Sequence, residues 1–116
     1  MNLNDLPKYM LICLLLTIVI EVIIGLIIGI RDKKDFLNVI LVNMLTNPIV
    51  TSVPTYFLFF NSPLVSNISL AVLEVLTVIV EGFIYSKTLK YKKINPYLVA
   101  LILNLSSYLL GLVILW

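Results

Sequence analysis

Long runs of apolar residues dominate the sequence and alternate with short polar connections. The four runs cover residues 9–30, 36–60, 64–85 and 97–116. Each reaches the roughly 20 residues that a helix needs to cross the hydrocarbon core of a bilayer, whereas buried segments of soluble proteins are usually shorter. The pattern therefore predicts an all-α integral membrane protein, with four transmembrane helices in a single membrane domain that covers residues 1–116.

The composition supports this class. Hydrophobic residues make up 61% of the chain and charged residues 12%, whereas soluble domains are about half apolar and a quarter charged. The four spans leave only short connections, so the chain has no room for a soluble catalytic domain or a nucleic-acid-binding module. The lipid bilayer is the partner that the composition predicts. The first span is longer than the apolar core of a signal peptide, so we expect it to be retained.

Positive charge is concentrated on two alternate connections. Seven of the eight Lys and Arg residues follow the first and third spans: Arg31, Lys33, Lys34, Lys87, Lys90, Lys92 and Lys93. The positive-inside rule then predicts that the basic loops 31–35 and 87–93 are cytoplasmic and that both termini lie outside a plasma membrane. Only Lys8, near the N-terminus, opposes this orientation.

Two helix starts are visible in the sequence. Ser62-Pro63 and Asn95-Pro96 each combine a capping side chain with a proline. The missing N–H of proline costs nothing in the first turn of a helix. These pairs predict where the third and fourth spans begin.

A short motif recurs at an offset of sixty positions. Leu16-Thr-Ile-Val-Ile-Glu21 matches Leu76-Thr-Val-Ile-Val-Glu81, and an Asn follows each Glu after 22 or 23 residues, as Asn43 and Asn104. Matches among abundant Val, Ile and Leu could arise by coincidence, but Thr, Glu and Asn are rare in the spans. The shared register favours two parallel hairpin repeats, about 9–60 and 64–116, related by an axis along the membrane normal.

Three glutamates lie inside predicted spans. Glu21, Glu74 and Glu81 would each cost several kcal/mol as ionised groups in a bilayer. Such residues usually face a bundle interior or a wet cavity, where they mark an ion path, a proton relay or a ligand site. The alternative is a protonated Glu that forms an interhelical hydrogen bond worth about 1 kcal/mol.

Three asparagines accompany these glutamates. Asn43 and Asn47 share one face of the second span, and Asn104 lies on the polar face of the fourth span; we expect both faces to turn inward. Carboxylate and amide oxygens are ligands that hard cations prefer. The predicted ligand- or ion-binding residues are therefore three carboxylates and three amides: Glu21, Glu74, Glu81, Asn43, Asn47 and Asn104. The pattern does not identify a metal.

The residue types argue against most enzymes. The chain has no histidine and a single cysteine, Cys13, so the usual zinc site of an intramembrane metalloprotease cannot form. A serine nucleophile would lack a histidine base. No catalytic residue and no cofactor are predicted.

Three functions remain in order of preference. The first is a cation- or proton-coupled transporter or channel component, which we expect to self-associate because four helices enclose little volume. The second is a non-catalytic membrane subunit whose polar faces dock a larger membrane protein, and the third is an intramembrane enzyme. Polar faces that point outward from the isolated bundle would favour the docking subunit.

Overall fold

A computed structural model describes residues 3–115, which form four long helices and no strand. A short 3-10 turn, Leu3–Asp5, precedes the first helix. The helices are α1 (Leu6–Ile28), α2 (Lys33–Phe60), α3 (Pro63–Thr88) and α4 (Pro96–Leu115). The all-α prediction is confirmed, and all four helices are long and apolar enough to cross a membrane.

The basic connections are shorter than predicted. The predicted loop 31–35 is wrong in its second half, because α2 begins at Lys33. The cause is Asp32, whose side chain accepts a hydrogen bond from the Lys34 backbone N–H at 2.7 Å and so caps the helix early. Likewise α3 continues to Thr88, inside the predicted loop 87–93.

The two predicted capping pairs start helices as expected. The Ser62 hydroxyl accepts from the Val65 N–H at 3.2 Å, and Asn95 Oδ1 accepts from the Tyr97 N–H at 2.9 Å. At the other end of α1, Gly29 ends the helix in a left-handed conformation with φ of 111°. This conformation favours glycine because other residues would strain there.

The four helices surround a common axis. Within residues 3–115, α1 and α3 each pack against α2 and α4, whereas the diagonal pairs do not pack against each other. The bundle measures 43 × 22 × 22 Å. Side chains on diagonal helices are therefore connected mainly through residues of the two helices between them.

The two halves of the bundle differ in packing. The buried apolar core lies in the half next to the two basic connections: Ile30, Val39, Val42, Tyr85, Leu89, Tyr91, Val99, Ala100 and Leu103. In this half, Gly82 of α3 allows α4 to come close, because the Tyr97 ring occupies the space that a Cβ would need. The half that carries the chain ends contains a cavity instead.

Candidate functional site

The first carboxyl of the site is Glu21 on α1. Its side chain is completely buried, and Asn43 on α2 is 1% exposed. Asn43 Nδ2 donates one hydrogen to Glu21 Oε1 at 3.0 Å and the other to the Val39 carbonyl at 2.9 Å. Both amide hydrogens of Asn43 are thus used, which fixes the side chain toward the carboxyl.

The second carboxyl, Glu81 on α3, repeats this arrangement. It is also completely buried. Asn104 Nδ2 on α4 donates to Glu81 Oε1 at 2.8 Å and to the Ala100 carbonyl at 2.8 Å. The predicted Glu and Asn residues therefore meet in pairs, each pair within one helical hairpin.

Two hydroxyl groups join the pairs across the hairpins. Thr46 Oγ1 on α2 donates to Glu81 Oε2 at 2.8 Å, and Ser107 Oγ on α4 donates to Glu21 Oε2 at 3.2 Å. Each glutamate thus takes its asparagine from its own hairpin and its hydroxyl from the other hairpin. We call this set of six side chains the carboxyl ring: Glu21, Asn43, Thr46, Glu81, Asn104 and Ser107.

The number of hydrogens in the ring limits how it can be bonded. A hydroxyl donates one hydrogen, yet Thr46 Oγ1 also lies 3.0 Å from the Val42 carbonyl, and Ser107 Oγ lies 3.0 Å from the Asn104 carbonyl. A protonated glutamate could donate to the hydroxyl, which would then donate to the backbone. The ring can therefore hold a proton on either carboxyl without leaving a polar atom unpaired.

A cavity of about 480 Å³ leads to the ring from the half of the bundle that carries the chain ends. Four ring side chains line its inner end: Asn43, Thr46, Asn104 and Ser107. The two buried carboxyls lie behind this layer and do not line the cavity. Access from the cavity to the carboxyls is therefore through the amide and hydroxyl groups.

The other two predicted site residues lie in the cavity wall and outside the ring. Asn47 donates to Thr17 Oγ1 at 3.2 Å and accepts from Thr51 at 3.3 Å, so it contacts hydroxyl groups and no carboxylate. Glu74 is half-buried, and its carboxylate has no hydrogen-bond or ion-pair partner in the described part of the chain. The structure therefore brings four of the six predicted residues together.

The opposite end of the bundle is held closed by polar contacts between the two basic connections. Asp35 is 1% exposed and accepts from the backbone N–H groups of Lys90 and Tyr91 at 2.9 and 3.0 Å. The Tyr91 hydroxyl donates to the Ile28 carbonyl at 2.7 Å. We call these contacts the clasp.

Beside the clasp, Lys90 Nζ lies 3.5 Å from the Asp32 carboxylate. The Lys34 backbone N–H is the largest cause that lowers the pKa of Asp32, and the positive charge of Lys90 adds to it. An exposed pair of this kind contributes little to stability. It nevertheless places unlike charges across the two connections.

Sequence reasoning missed several of these residues. Thr46 and Ser107 each follow a site asparagine by three positions, so their helical register was a usable signal. Asp35 gave no signal, because it lies in the predicted basic loop 31–35. Tyr85 is also absent from the predicted site, although its ring is fully buried and its hydroxyl has no hydrogen-bond partner among residues 3–115.

Comparisons with known proteins add no relative. No protein-family profile matches the sequence, and neither curated proteins nor solved structures give a significant match. Within the described residues, no three Cys, Asp or Glu side chains form a group that could hold a metal ion. The functional argument therefore depends on the carboxyl ring, the cavity and the clasp.

Proposed function

We propose that this chain is a small multi-pass membrane protein that transports a solute in exchange for protons, with Glu21 and Glu81 as the proton-binding groups. Large apolar side chains coat the outside of the bundle, with Leu15 55% exposed and Val113 76% exposed. Such a surface suits hydrocarbon and would be unfavourable in water. This surface supports membrane insertion of all four helices.

The observation that carries the proposal is the position of the ring between an open half and a closed half. The cavity reaches the ring from the side of the chain ends, whereas the apolar core and the clasp block the way from the ring to the basic connections. Alternating access requires a central site that is open to one side at a time. A bundle that is open toward the chain ends and closed toward the basic connections is the form that we expect of one of these states.

The hydrogen bonding of the ring favours protons as the coupling ion. With both glutamates protonated, each Oε1 accepts from an asparagine, and each Oε2–H donates to a hydroxyl that in turn donates to a backbone carbonyl. A buried carboxyl that is fully hydrogen-bonded in its neutral form avoids the cost of an unpaired buried charge. Loss of a proton would open the hydrogen-bond pattern and create that charge.

The same hydrogen bonds support a hairpin duplication. The ring members of one hairpin are Glu21, Asn43 and Thr46, and those of the other are Glu81, Asn104 and Ser107. The two sets correspond at offsets of 60 or 61 positions. In our proposal, the two repeats run parallel and the basic connections face the cytoplasm, so the cavity opens to the outside.

The docking-subunit alternative predicts polar faces that point away from the bundle. Glu21 and Glu81 are completely buried, and Asn43 and Asn104 are 1% and 7% exposed. Their inward orientation supports transport over docking. An enzyme would require a nucleophile activated by one of the carboxyls, and the two ring hydroxyls already have backbone acceptors.

The test measures proton binding and exchange separately. Purified protein is titrated, and proteoliposomes that contain a pH-sensitive dye are exposed to panels of amines, carboxylates, sugars and metal cations. The variants are Glu21→Gln and Glu81→Gln, and the matched control is Asp32→Asn, which removes an exposed carboxylate and retains a capping side chain. We expect each Gln variant to bind one proton fewer and to lose solute-driven pH changes.

The control variant should exchange protons as the wild type does. If no solute changes the internal pH, and the Gln variants bind as many protons as the wild type, transport is wrong. The docking-subunit hypothesis would then replace it.

A further inference from the structure

A second concavity lies on the outside of the bundle between α3 and α4. It has a volume of about 460 Å³, within the range of small-molecule sites. Its walls are mostly aliphatic: Ala71, Val75, Val78, Ile79, Leu101 and Leu105. Several of these side chains are exposed on the surface that would face the bilayer, including Val75 at 61% and Ile79 at 53%.

Glu74 is the one charged residue in the described wall of this groove. Its carboxylate has no hydrogen-bond or ion-pair partner in residues 3–115. An unpaired carboxylate at the depth of a membrane span is costly. The cost would be offset by a cation bound beside it.

The groove and the central cavity have wall residues in common. Glu74, Asn67, Leu70, Asn104 and Tyr108 line both. The groove therefore adjoins the central cavity along the α3 and α4 residues that line both. Asn104 also donates to Glu81, so one residue of this shared wall belongs to the carboxyl ring.

The first hairpin has no equivalent carboxylate. Sixty positions before Glu74 the sequence has Leu14, although the ring glutamates themselves correspond at this offset. The Glu74 carboxylate is therefore not part of the internal repeat, and the repeated hairpins do not need it to form. This asymmetry indicates a task specific to the second hairpin.

We propose that the groove between α3 and α4 binds an organic cation with an apolar body, which enters from the bilayer and pairs with Glu74. This inference rests on the proposed transport function and names the class of solute. The aliphatic walls favour an apolar body over a small hydrated cation, which would have to lose its water. The single carboxylate selects a positive charge over a negative one.

Equilibrium dialysis of the purified full-length protein in detergent tests this proposal without requiring transport. The probe is radiolabelled tetraphenylphosphonium, and tetraphenylborate serves as a partner of similar shape and opposite charge. We expect saturable binding of the cation and none of the anion. Glu74→Gln should weaken cation binding at least about ten-fold, because it removes the partner of the charge.

A pair of neighbouring substitutions locates the site. Ala71→Phe fills the groove, whereas Val72→Phe adds a similar ring on the same helix at an exposed position outside both cavities. We expect Ala71→Phe to weaken binding and Val72→Phe to leave it unchanged. Asp32→Asn, which removes an exposed carboxylate outside both cavities, should leave binding unchanged. Cation binding that depends on Glu74 and Ala71 in a protein that exchanges no protons would support this inference and contradict the proposed function, so the two can fail separately.

Three results would overturn the inference. Equal binding of the two probes would mean that charge plays no part, and equal effects of Ala71→Phe and Val72→Phe would place the probe elsewhere. If Ala71→Phe alters only the oligomeric state, the groove is the contact with a second copy of the chain.

Discussion

Replacement of Thr46 by Val tests whether the carboxyl ring holds the hairpins together. Val has nearly the shape of Thr but no hydroxyl, so the change removes the bond of 2.8 Å to Glu81 Oε2 without opening space. Because Glu81 is completely buried, that oxygen is left without its partner. An unsatisfied buried polar group costs about 1–3 kcal/mol, and we expect this loss in the free energy of unfolding.

Thr55→Val is the matched control on the same helix. The Thr55 hydroxyl donates to the Thr51 carbonyl at 2.7 Å and has no carboxyl partner within residues 3–115. A bond of this type from a threonine to the preceding turn adds little to a helix, so the change should stay within about 0.5 kcal/mol. Thr46→Ser keeps the hydroxyl and should restore most of the stability that Thr46→Val loses.

The assay is reversible unfolding in mixed micelles, followed by circular dichroism as the fraction of denaturing detergent increases. The reasoning is refuted if Thr46→Val and Thr55→Val lose the same stability, or if Thr46→Ser behaves like Thr46→Val. Either result would mean that the hydroxyl does not bond the carboxyl across the hairpins.

Three further predictions concern packing, pH and topology. Gly82→Ala should lower the stability by about 1–3 kcal/mol, because a Cβ there meets the neighbouring Tyr97 ring. A Cβ at Gly111 meets no described atom within 4 Å, so Gly111→Ala should be neutral or stabilising in the same unfolding assay. The pKa of Asp32 in the folded protein is lowered from its ordinary value of 3.8. The ionised Asp32 carboxylate therefore stabilises the fold above pH 3.8, and this stabilisation is lost as the pH falls through the lowered pKa. Asp32→Asn should accordingly lose less stability on acidification than the wild type does. Cysteines placed at Asn61 and Lys92, in a background without the native cysteine, should react from opposite sides of intact membranes, and reaction from one side would contradict the four-span topology.

The helices were predictable because their signals are local. Long apolar runs specify the elements, and Ser62 and Asn95 specify two of the starts within a single turn. The loop errors have the same origin, since the cap at Asp32 was hidden among basic residues that suggested an exposed connection. In each case a capping side chain marks the start of the helix, but the cap at Asp32 is harder to recognise from the sequence.

The contacts between glutamate and asparagine within each hairpin were predictable from the sequence, whereas the contacts between the hairpins were not. The separation of 22 residues between Glu21 and Asn43 crosses one hairpin, so the two residues return to the same depth. The bond from Ser107 to Glu21 depends on which helices are neighbours in the bundle, and no local pattern gives that order. The burial of Asp35 has the same cause, because its partners lie in the other hairpin.

The exchange of hydroxyls between hairpins has a consequence for how the two hairpins assemble. A single hairpin carries a glutamate and its asparagine, but its own hydroxyl points to the glutamate of the other hairpin. One hairpin alone would leave its carboxyl incomplete, whereas two identical copies side by side would complete each other. Separately expressed halves of the present chain should therefore reassociate through the same two bonds.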